Sequence, residues 1–149
     1  MPTSHIDPET VARLRMAMAR LARRQRQAAS TGLTPSQQSA LAMIDRHGPL
    51  PLSELATLEQ VAKPTITRIV AKLEEQGLVE RLVDTVDRRF ARVVVTAVGH
   101  ERIEETRQRR NQWLTERIEG LSPDDIAAIF AVVEPLERLL EVELTGSRV

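Results

Sequence analysis

Apolar residues recur at helical spacing in four long stretches of the chain. The first stretch follows Asp7-Pro8-Glu9, a helix-start pattern, and the second follows the capping box Thr34-Pro35-Ser36-Gln37. Two more stretches begin at Thr96 and after Leu121-Ser122-Pro123. The pattern predicts four long helices, at about 8–29, 35–47, 97–118 and from 123 onward.

The stretch between the second and third of these helices contains shorter elements. Leu50-Pro51-Leu52 has room only for an extended link or a very short strand, and Ser53 begins a short helix. Another helix runs from Lys63 to Gly77. Two β-rich segments, 78–83 and 92–95, flank the polar stretch DTVDRR and predict a hairpin with a long loop. The predicted fold is therefore mainly α, in the order α-α-(β)-α-α-β-β-α-α, with six helices and a small β-hairpin.

The predicted fifth helix is polar on every face from 104 to 112, where it reads EETRQRRNQ. Such a helix usually crosses solvent between two separately packed regions. The first helix and the last two are amphipathic, so we expect a homodimer in which the terminal helices of two chains share one core. This expectation divides the chain into a helical dimerisation region, residues 1–48 and 97–149, and a central module, residues 50–96.

The helix from Lys63 to Gly77 has two different faces. One face is an apolar stripe that turns inward, formed by Ile66, Ile69, Val70 and Leu73. Small residues at the helix start and cations further along provide candidate DNA contacts: Lys63, Pro64, Thr65, Thr67, Arg68 and Lys72. A slim helix end with hydroxyls, an arginine and flanking cations is suited to the major groove of DNA. A surface helix exposed to solvent is the alternative explanation.

Two neighbouring segments favour DNA binding. A short helix at 53–58 is joined to the helix at 63–77 by a tight link, which is the helix-turn-helix arrangement, although the usual turn glycine is absent. The hairpin loop carries Arg88 and Arg89, and arginines at a loop tip can enter a narrow minor groove. Alternatively, these arginines only pair with the nearby acids Asp84 and Asp87.

The segment KPTITRIVAKLEEQGLVERLVDTVDRRFARVVVTAVG resembles the MarR family of winged helix-turn-helix regulators. The matching motifs are Thr67-Arg68, L-E-x-x-G-L-V-x-R from Leu73 to Arg81, Asp87-Arg88-Arg89, and T-x-x-G from Thr96 to Gly99. The order of the predicted helices also fits the family, so that the resemblance extends over nearly the whole chain.

The resemblance implies a homodimer in which each winged module reads one half-site of a pseudo-palindromic operator. Pro64, Thr65 and Arg68 would face base edges, and Arg88 or Arg89 would enter the minor groove. The family also implies an ion pair between Arg81 and Asp87 that braces the wing.

The resemblance further implies a repressor that responds to a small aromatic or anionic ligand. Arg15, His47 and Trp113 are candidates for the ligand pocket. Each has another explanation, as a surface charge, a helix terminus and a core residue respectively. No cofactor is expected.

The charge composition constrains the DNA-binding hypothesis. The chain has 21 basic and 21 acidic residues, and a neutral protein is not a typical nucleic-acid binder. The charges are segregated, however, with arginines dominating 8–44 and acids dominating from 116 onward, so a local positive surface remains possible. The absence of cysteine excludes disulfides, Cys-ligated zinc and thiol redox chemistry. Without a leader pattern or an apolar run of about 18 residues, we expect a soluble cytoplasmic protein that does not enter membranes.

An enzymatic function is not supported by the motifs. His5, His47 and His100 are scattered, and the chain has no glycine-rich phosphate loop and no nucleophile elbow. Asp124-Asp125 is explained by a helix start rather than by a metal site. The remaining alternative is a winged-helix module that contacts proteins and reads no specific DNA. Such a module would expose apolar side chains where this chain has threonine, arginine and lysine.

Overall fold

A computed structural model describes residues 6–83, 86–87 and 91–142 of the chain. The described elements are α1 (Pro8–Ala28), α2 (Pro35–His47), β1 (Leu50–Pro51), α3 (Leu52–Glu59), α4 (Lys63–Glu75), β2 (Val79–Val83), β3 (Ala91–Val95), α5 (Ala97–Glu119) and α6 (Pro123–Glu141). The predicted order of helices and strands is confirmed, including the very short first strand.

The starts of α1 and α2 follow from local capping chemistry. The Asp7 carboxylate caps α1 by accepting the Thr10 hydroxyl and the backbone N–H groups of Thr10 and Glu9. These hydrogen bonds, the Thr10 hydroxyl first, hold the pKa of Asp7 below its ordinary value. Thr34 and Gln37 form the predicted capping box of α2, with reciprocal bonds of 3.2 and 3.1 Å.

The described hydrophobic core lies between α2, α3, α4 and the sheet. The three strands are antiparallel in the order β1-β3-β2, and the register pairs Leu50 with Val93 and Val79 with Val95. These four side chains are buried. The other core residues are Leu33, Ala40, Leu41, Ile44, Leu55, Ala56, Ile66, Val70, Leu73 and Leu78. Helix α2 therefore packs into the same core as the winged module formed by α3, α4 and the hairpin.

Thr96 and Gly99, the ends of the T-x-x-G motif, join the sheet to α5. The Thr96 hydroxyl donates a hydrogen bond to the Gly77 carbonyl and accepts one from the Gly99 N–H at 3.1 Å. Gly99 is buried so close to the chain that a Cβ there would overlap the Leu78 carbonyl oxygen and crowd Val95. The motif is thus a structural joint, since only glycine lets α5 approach this closely.

Two arginines of α5 contact the link that follows α1. Arg102 donates to the Thr31 carbonyl at 2.9 Å, and Arg109 donates to the Ser30 carbonyl at 3.1 Å. Arg102 is also half-buried. Seven of the nine residues from 104 to 112 are exposed, and Arg109 ties this segment to the link that follows α1. That the segment bridges two packed regions stays a prediction.

The chain divides into two compact units, Met1–Asn111 and Gln112–Val149. In the first, α1 has no buried residue, and its exposed apolar side chains include Val11, Leu14, Met18 and Leu21. In the second, α6 also has no buried residue, and its exposed apolar side chains include Phe130, Val133, Leu139 and Leu140. Each helix therefore presents exposed apolar side chains within the described part of the chain.

Two properties of the described residues are relevant to function. None of the helices there combines the length and the apolar character that a membrane crossing requires. The same residues contain no group of three or more His, Cys, Asp or Glu side chains that could hold a metal ion.

Candidate nucleic-acid interface

A tight turn at Gln60 connects α3 to α4. Gln60 has φ 54° and ψ 41°, the left-handed conformation for which glycine is usual. Its N–H donates to the Thr57 carbonyl at 3.2 Å, and the next N–H, of Val61, donates to the Ala56 carbonyl at 3.1 Å. The helix-turn-helix geometry thus forms without the glycine, at a backbone cost of about 1–2 kcal/mol.

Helix α4 is held in a single rotation about its axis by its inner face. Ile66, Val70 and Leu73 are fully buried, in the same core as Leu55 and Ala56 of α3. Because successive residues on a helix differ by about 100°, this burial turns the opposite face outward. The exposed side chains on α4 include all six predicted DNA contacts: Lys63, Pro64, Thr65, Thr67, Arg68 and Lys72.

The six side chains differ in how free they are to bind. The Thr67 hydroxyl already donates to the Lys63 carbonyl at 2.9 Å, so it can offer DNA only an acceptor. Lys72 Nζ lies 3.2 Å from Glu75 Oε2 in an exposed ion pair. The Thr65 hydroxyl and the Arg68 guanidinium have no hydrogen bond or ion pair within the described part of the chain. They are the polar groups that can meet base edges without first losing a partner.

The start of α4 offers few backbone amides to a phosphate. Its N-cap, Ala62, has no side-chain cap, Pro64 has no N–H, and the Thr65 N–H donates to the Ala62 carbonyl at 3.0 Å. The Lys63 ammonium is therefore the main source of positive charge at this end of the helix.

The wing is described only in part. Arg88 and Arg89 lie outside the described residues, so their position in a minor groove stays a prediction. Arg81 Nε lies 3.3 Å from Glu74 Oε2, close enough for an ion pair between β2 and α4, although Nε makes no hydrogen bond to any described residue. The pairing of Arg81 with Asp87 also stays a prediction.

Comparison with known proteins identifies the family. The MarR family profile matches residues 33–90. An uncharacterized HTH-type transcriptional regulator of Mycobacterium leprae (strain TN) is 34% identical over 119 residues, which cover 79% of this chain and 83% of the relative. The chain belongs to the MarR family.

Other relatives of this MarR-family chain agree over most of its length. The HTH-type transcriptional repressor MdtR of Bacillus subtilis (strain 168) is 27% identical over 112 residues, covering 75% of this chain and 72% of the relative. The crystal structure of the transcriptional regulator Tm0710 of Thermotoga maritima superposes with a TM-score of 0.76 at 29% identity, covering 91% and 96% of the two chains. The chain is thus a winged-helix, DNA-binding transcriptional regulator and not an enzyme.

The predicted ligand residues of this MarR-family chain lie in different surroundings. Arg15 and His47 are exposed. Trp113 is half-buried, and the Arg117 guanidinium stacks 3.9 Å from its ring centroid. Their role in ligand binding stays a prediction.

A crevice of about 230 Å³ opens between α2 and α5 and contains none of those three residues. Its apolar lining includes Leu33, Leu41, Ala42 and Ile103, and its polar lining consists of Gln38, Asp45, Arg46, Thr106, Arg107 and Arg110. Sequence reasoning missed this site, although the arginine-rich stretch EETRQRRNQ, the source of Arg107 and Arg110, was the available signal.

The crevice is positively charged. Its one acid, Asp45, lies 3.7 Å from an Arg107 nitrogen and 3.2 Å from His100 Nδ1. Arg110 donates to the Gln38 amide oxygen at 3.3 Å, while its buried Nε has no hydrogen-bond partner. Arg46 and Arg110 thus have no acid beside them in the crevice, which suits it to an anion.

Proposed function

We propose that this MarR-family protein is a sequence-specific repressor that binds a pseudo-palindromic operator as a homodimer. The observation that carries the proposal is the outer face of α4. Thr65 and Arg68 are exposed there and have no partner in the part of the chain that the structure describes, while buried side chains on the inner face hold the helix in place. Such a helix keeps the backbone that carries its reading groups in a fixed position, so little backbone entropy is lost when they bind bases.

The side chains of α4 divide into two roles under this proposal. Pro64, Thr65 and Arg68 contact base edges, with the arginine bidentate to a guanine. Lys63 and Lys72 lie at the two ends of the helix and neutralise phosphates. Arg88 and Arg89 complete the interface from the wing, where a narrow minor groove attracts arginine.

The dimer is proposed from the uncovered apolar surface of α1 and α6. Leaving so many large apolar side chains in water is unfavourable, at about 25 cal/mol for each Å² that a partner could bury. The dimerisation region comprises residues 1–48 and 97–149, although α2 also packs into the core of the module. The module, residues 50–96, then reads one half-site per subunit. A dimer covering its operator would block transcription, and the MdtR relative is named a transcriptional repressor.

A module that contacts proteins is the second candidate. It would need an apolar docking face on α4, where the structure has threonine, arginine and lysine. The face of α4 therefore favours DNA, and the response to salt distinguishes the two functions.

Duplex affinity is expected to fall steeply with salt. Each phosphate that the dimer neutralises contributes about −0.9 to the slope of log K against log salt. The measurement is a titration of a duplex from upstream of the protein's own gene at several salt concentrations, with footprinting. We expect two protected half-sites whose centres are about 10–11 base pairs apart, or a multiple of that. A flat salt response would contradict DNA binding, and a single protected half-site bound by a monomer would contradict the dimer.

The proposed repressor also responds to a small anionic or aromatic ligand, and the crevice between α2 and α5 is the proposed binding site. An anion there would accept a hydrogen bond from the buried Nε of Arg110. Its negative charge would also draw the Arg46 and Arg107 side chains into the crevice. Helix α5 begins at the joint with the sheet that Thr96 and Gly99 form. A shift of α5 relative to α2 would therefore move the winged module from one position to a second. A ligand that binds more tightly to one of these two positions of the module changes the affinity of the protein for DNA.

Benzoate is expected to weaken operator binding, by a factor within the usual range of about 5 to 150 for coupled sites. Benzyl alcohol has the same ring without the charge and is the matched control ligand. The measurement is the operator dissociation constant at saturating concentrations of each compound, with ionic strength kept constant. An equal effect of both compounds, or an undiminished benzoate effect in Arg110→Ala, would exclude the crevice as an anion site.

A further inference from the structure

Lysine is confined to one helix of this protein. Of the 21 basic residues, only Lys63 and Lys72 are lysines, and both belong to α4. Apart from an α-amino group, they are the only amines in the chain. A reagent that acylates amines therefore acts on the helix that is proposed to read DNA.

The two lysines are placed at opposite ends and on opposite sides of α4. They are nine residues apart, which corresponds to about 13.5 Å along the axis and about half a turn around it. Both are exposed, and the side chain of Lys72 is 62% accessible. A helix in the major groove has a phosphate backbone on each side, so each lysine can reach a different strand.

We propose that Lys63 and Lys72 form an acylation switch that releases the protein from DNA. The inference rests on the DNA-binding function proposed above. The donor is an activated acyl compound, either an acyl phosphate or an acyl thioester. The neutral Nζ attacks the acyl carbonyl carbon, a C–N bond forms, and the bond from that carbon to the phosphate oxygen or the thioester sulfur breaks. The leaving group takes the electron pair, and the amine loses a proton to solvent.

The consequence for binding follows from the lost charge. An acylated lysine is a neutral amide that can no longer neutralise a phosphate. The arginines, including Arg68, keep their charge because they are not amines. Acylation therefore removes affinity for phosphates while base reading persists, and the loss is the same on every duplex.

The two sites differ in their partners. Lys72 is paired with Glu75 at 3.2 Å, and acylation must break that ion pair. Lys63 has no acidic partner in the part of the chain that the structure describes. We therefore expect Lys63 to be modified first.

The test treats the full chain with acetyl phosphate in one arm and with acetyl-coenzyme A in the other. Peptide mass mapping locates the acetyl groups, and duplex titrations give affinity and salt slope. Each single acetylated lysine, counted separately in the two subunits, should reduce the magnitude of the slope of log K against log salt by about 1. Each such acetyl group should then lower the affinity at about 0.1–0.2 M salt by about fourfold to eightfold, equally on operator and unrelated duplex. The arm that acetylates the lysines identifies the donor class.

The variant Lys63→Arg/Lys72→Arg keeps both charges and has no side-chain amine. Its affinity is compared with its own value before treatment and should not change. The switch is overturned if neither donor modifies the lysines, if doubly acetylated protein keeps its salt slope, or if the double variant loses as much affinity as the parent. If the untreated protein shows no salt-dependent duplex binding, the proposed function fails as well, and this is seen before any reagent is added.

Discussion

Replacing Gly99 with alanine is expected to destabilise the fold by about 2–4 kcal/mol. A Cβ at this position would overlap the backbone oxygen of Leu78, which cannot move aside as a flexible side chain would. Helix propensity alone predicts the opposite sign, because alanine is favoured over glycine within a helix by about 1 kcal/mol. Thermal unfolding at constant protein concentration therefore distinguishes the two effects by the direction of the change in Tm.

The matched control for Gly99→Ala is Gly120→Ala. A Cβ on Gly120 would lie 3.5 Å from the Arg117 carbonyl oxygen, an ordinary contact, so its Tm should stay close to that of the parent. An unchanged or raised Tm in Gly99→Ala would show that α5 does not approach the sheet as closely as described here. A fall of similar size in both variants would show that the loss does not come from the overlap with Leu78.

Replacing Arg68 with alanine is expected to weaken operator binding by about 1–3 kcal/mol, roughly 5- to 150-fold. The guanidinium is exposed and has no partner within the described chain, so its removal leaves no group unpaired in the free protein. The loss should be much smaller on unrelated duplex, because base contacts carry the specificity. The measurement is the pair of dissociation constants, on operator and unrelated DNA, at one salt concentration.

Two variants separate this effect from a loss of charge. Arg138→Ala removes one cation from an exposed position on α6 and should leave the preference for operator unchanged. Arg88→Ala/Arg89→Ala should lower the salt slope and weaken binding through the wing. If Arg68→Ala weakens operator and unrelated duplex equally, Arg68 contacts the backbone and does not read bases.

Local patterns explain why so much of this fold was predictable. Apolar spacing, the capping box at Thr34 and the link after Glu59 predicted the element order. The stripe from Ile66 to Leu73 predicted which face of α4 turns outward. Thr96 and Gly99 were recognised as a family motif, yet their physical role appears only when Gly77 and Leu78 are brought beside them.

The long-range polar contacts were not predictable in the same way. EETRQRRNQ has no apolar stripe, so periodicity gave it no packing partner. In the folded chain, Arg102 and Arg109 of α5 reach the carbonyls of the link after α1, about 70 to 80 positions earlier in sequence. Such contacts depend on the path of the backbone and leave no local signal.

The sequence by itself determined the helices, the hairpin and the chemistry on the outer face of α4, because periodicity, caps and side-chain type act over a few residues. Only the tertiary structure decided which of those groups already have a hydrogen-bond or ion-pair partner within the protein. It engages the Thr67 hydroxyl and the Lys72 ammonium, leaves Thr65 and Arg68 without partners among the described residues, and brings Arg46 and Arg110 together in one crevice. These outcomes depend on distances between elements far apart in the chain, which the packing of α2, α4 and α5 sets.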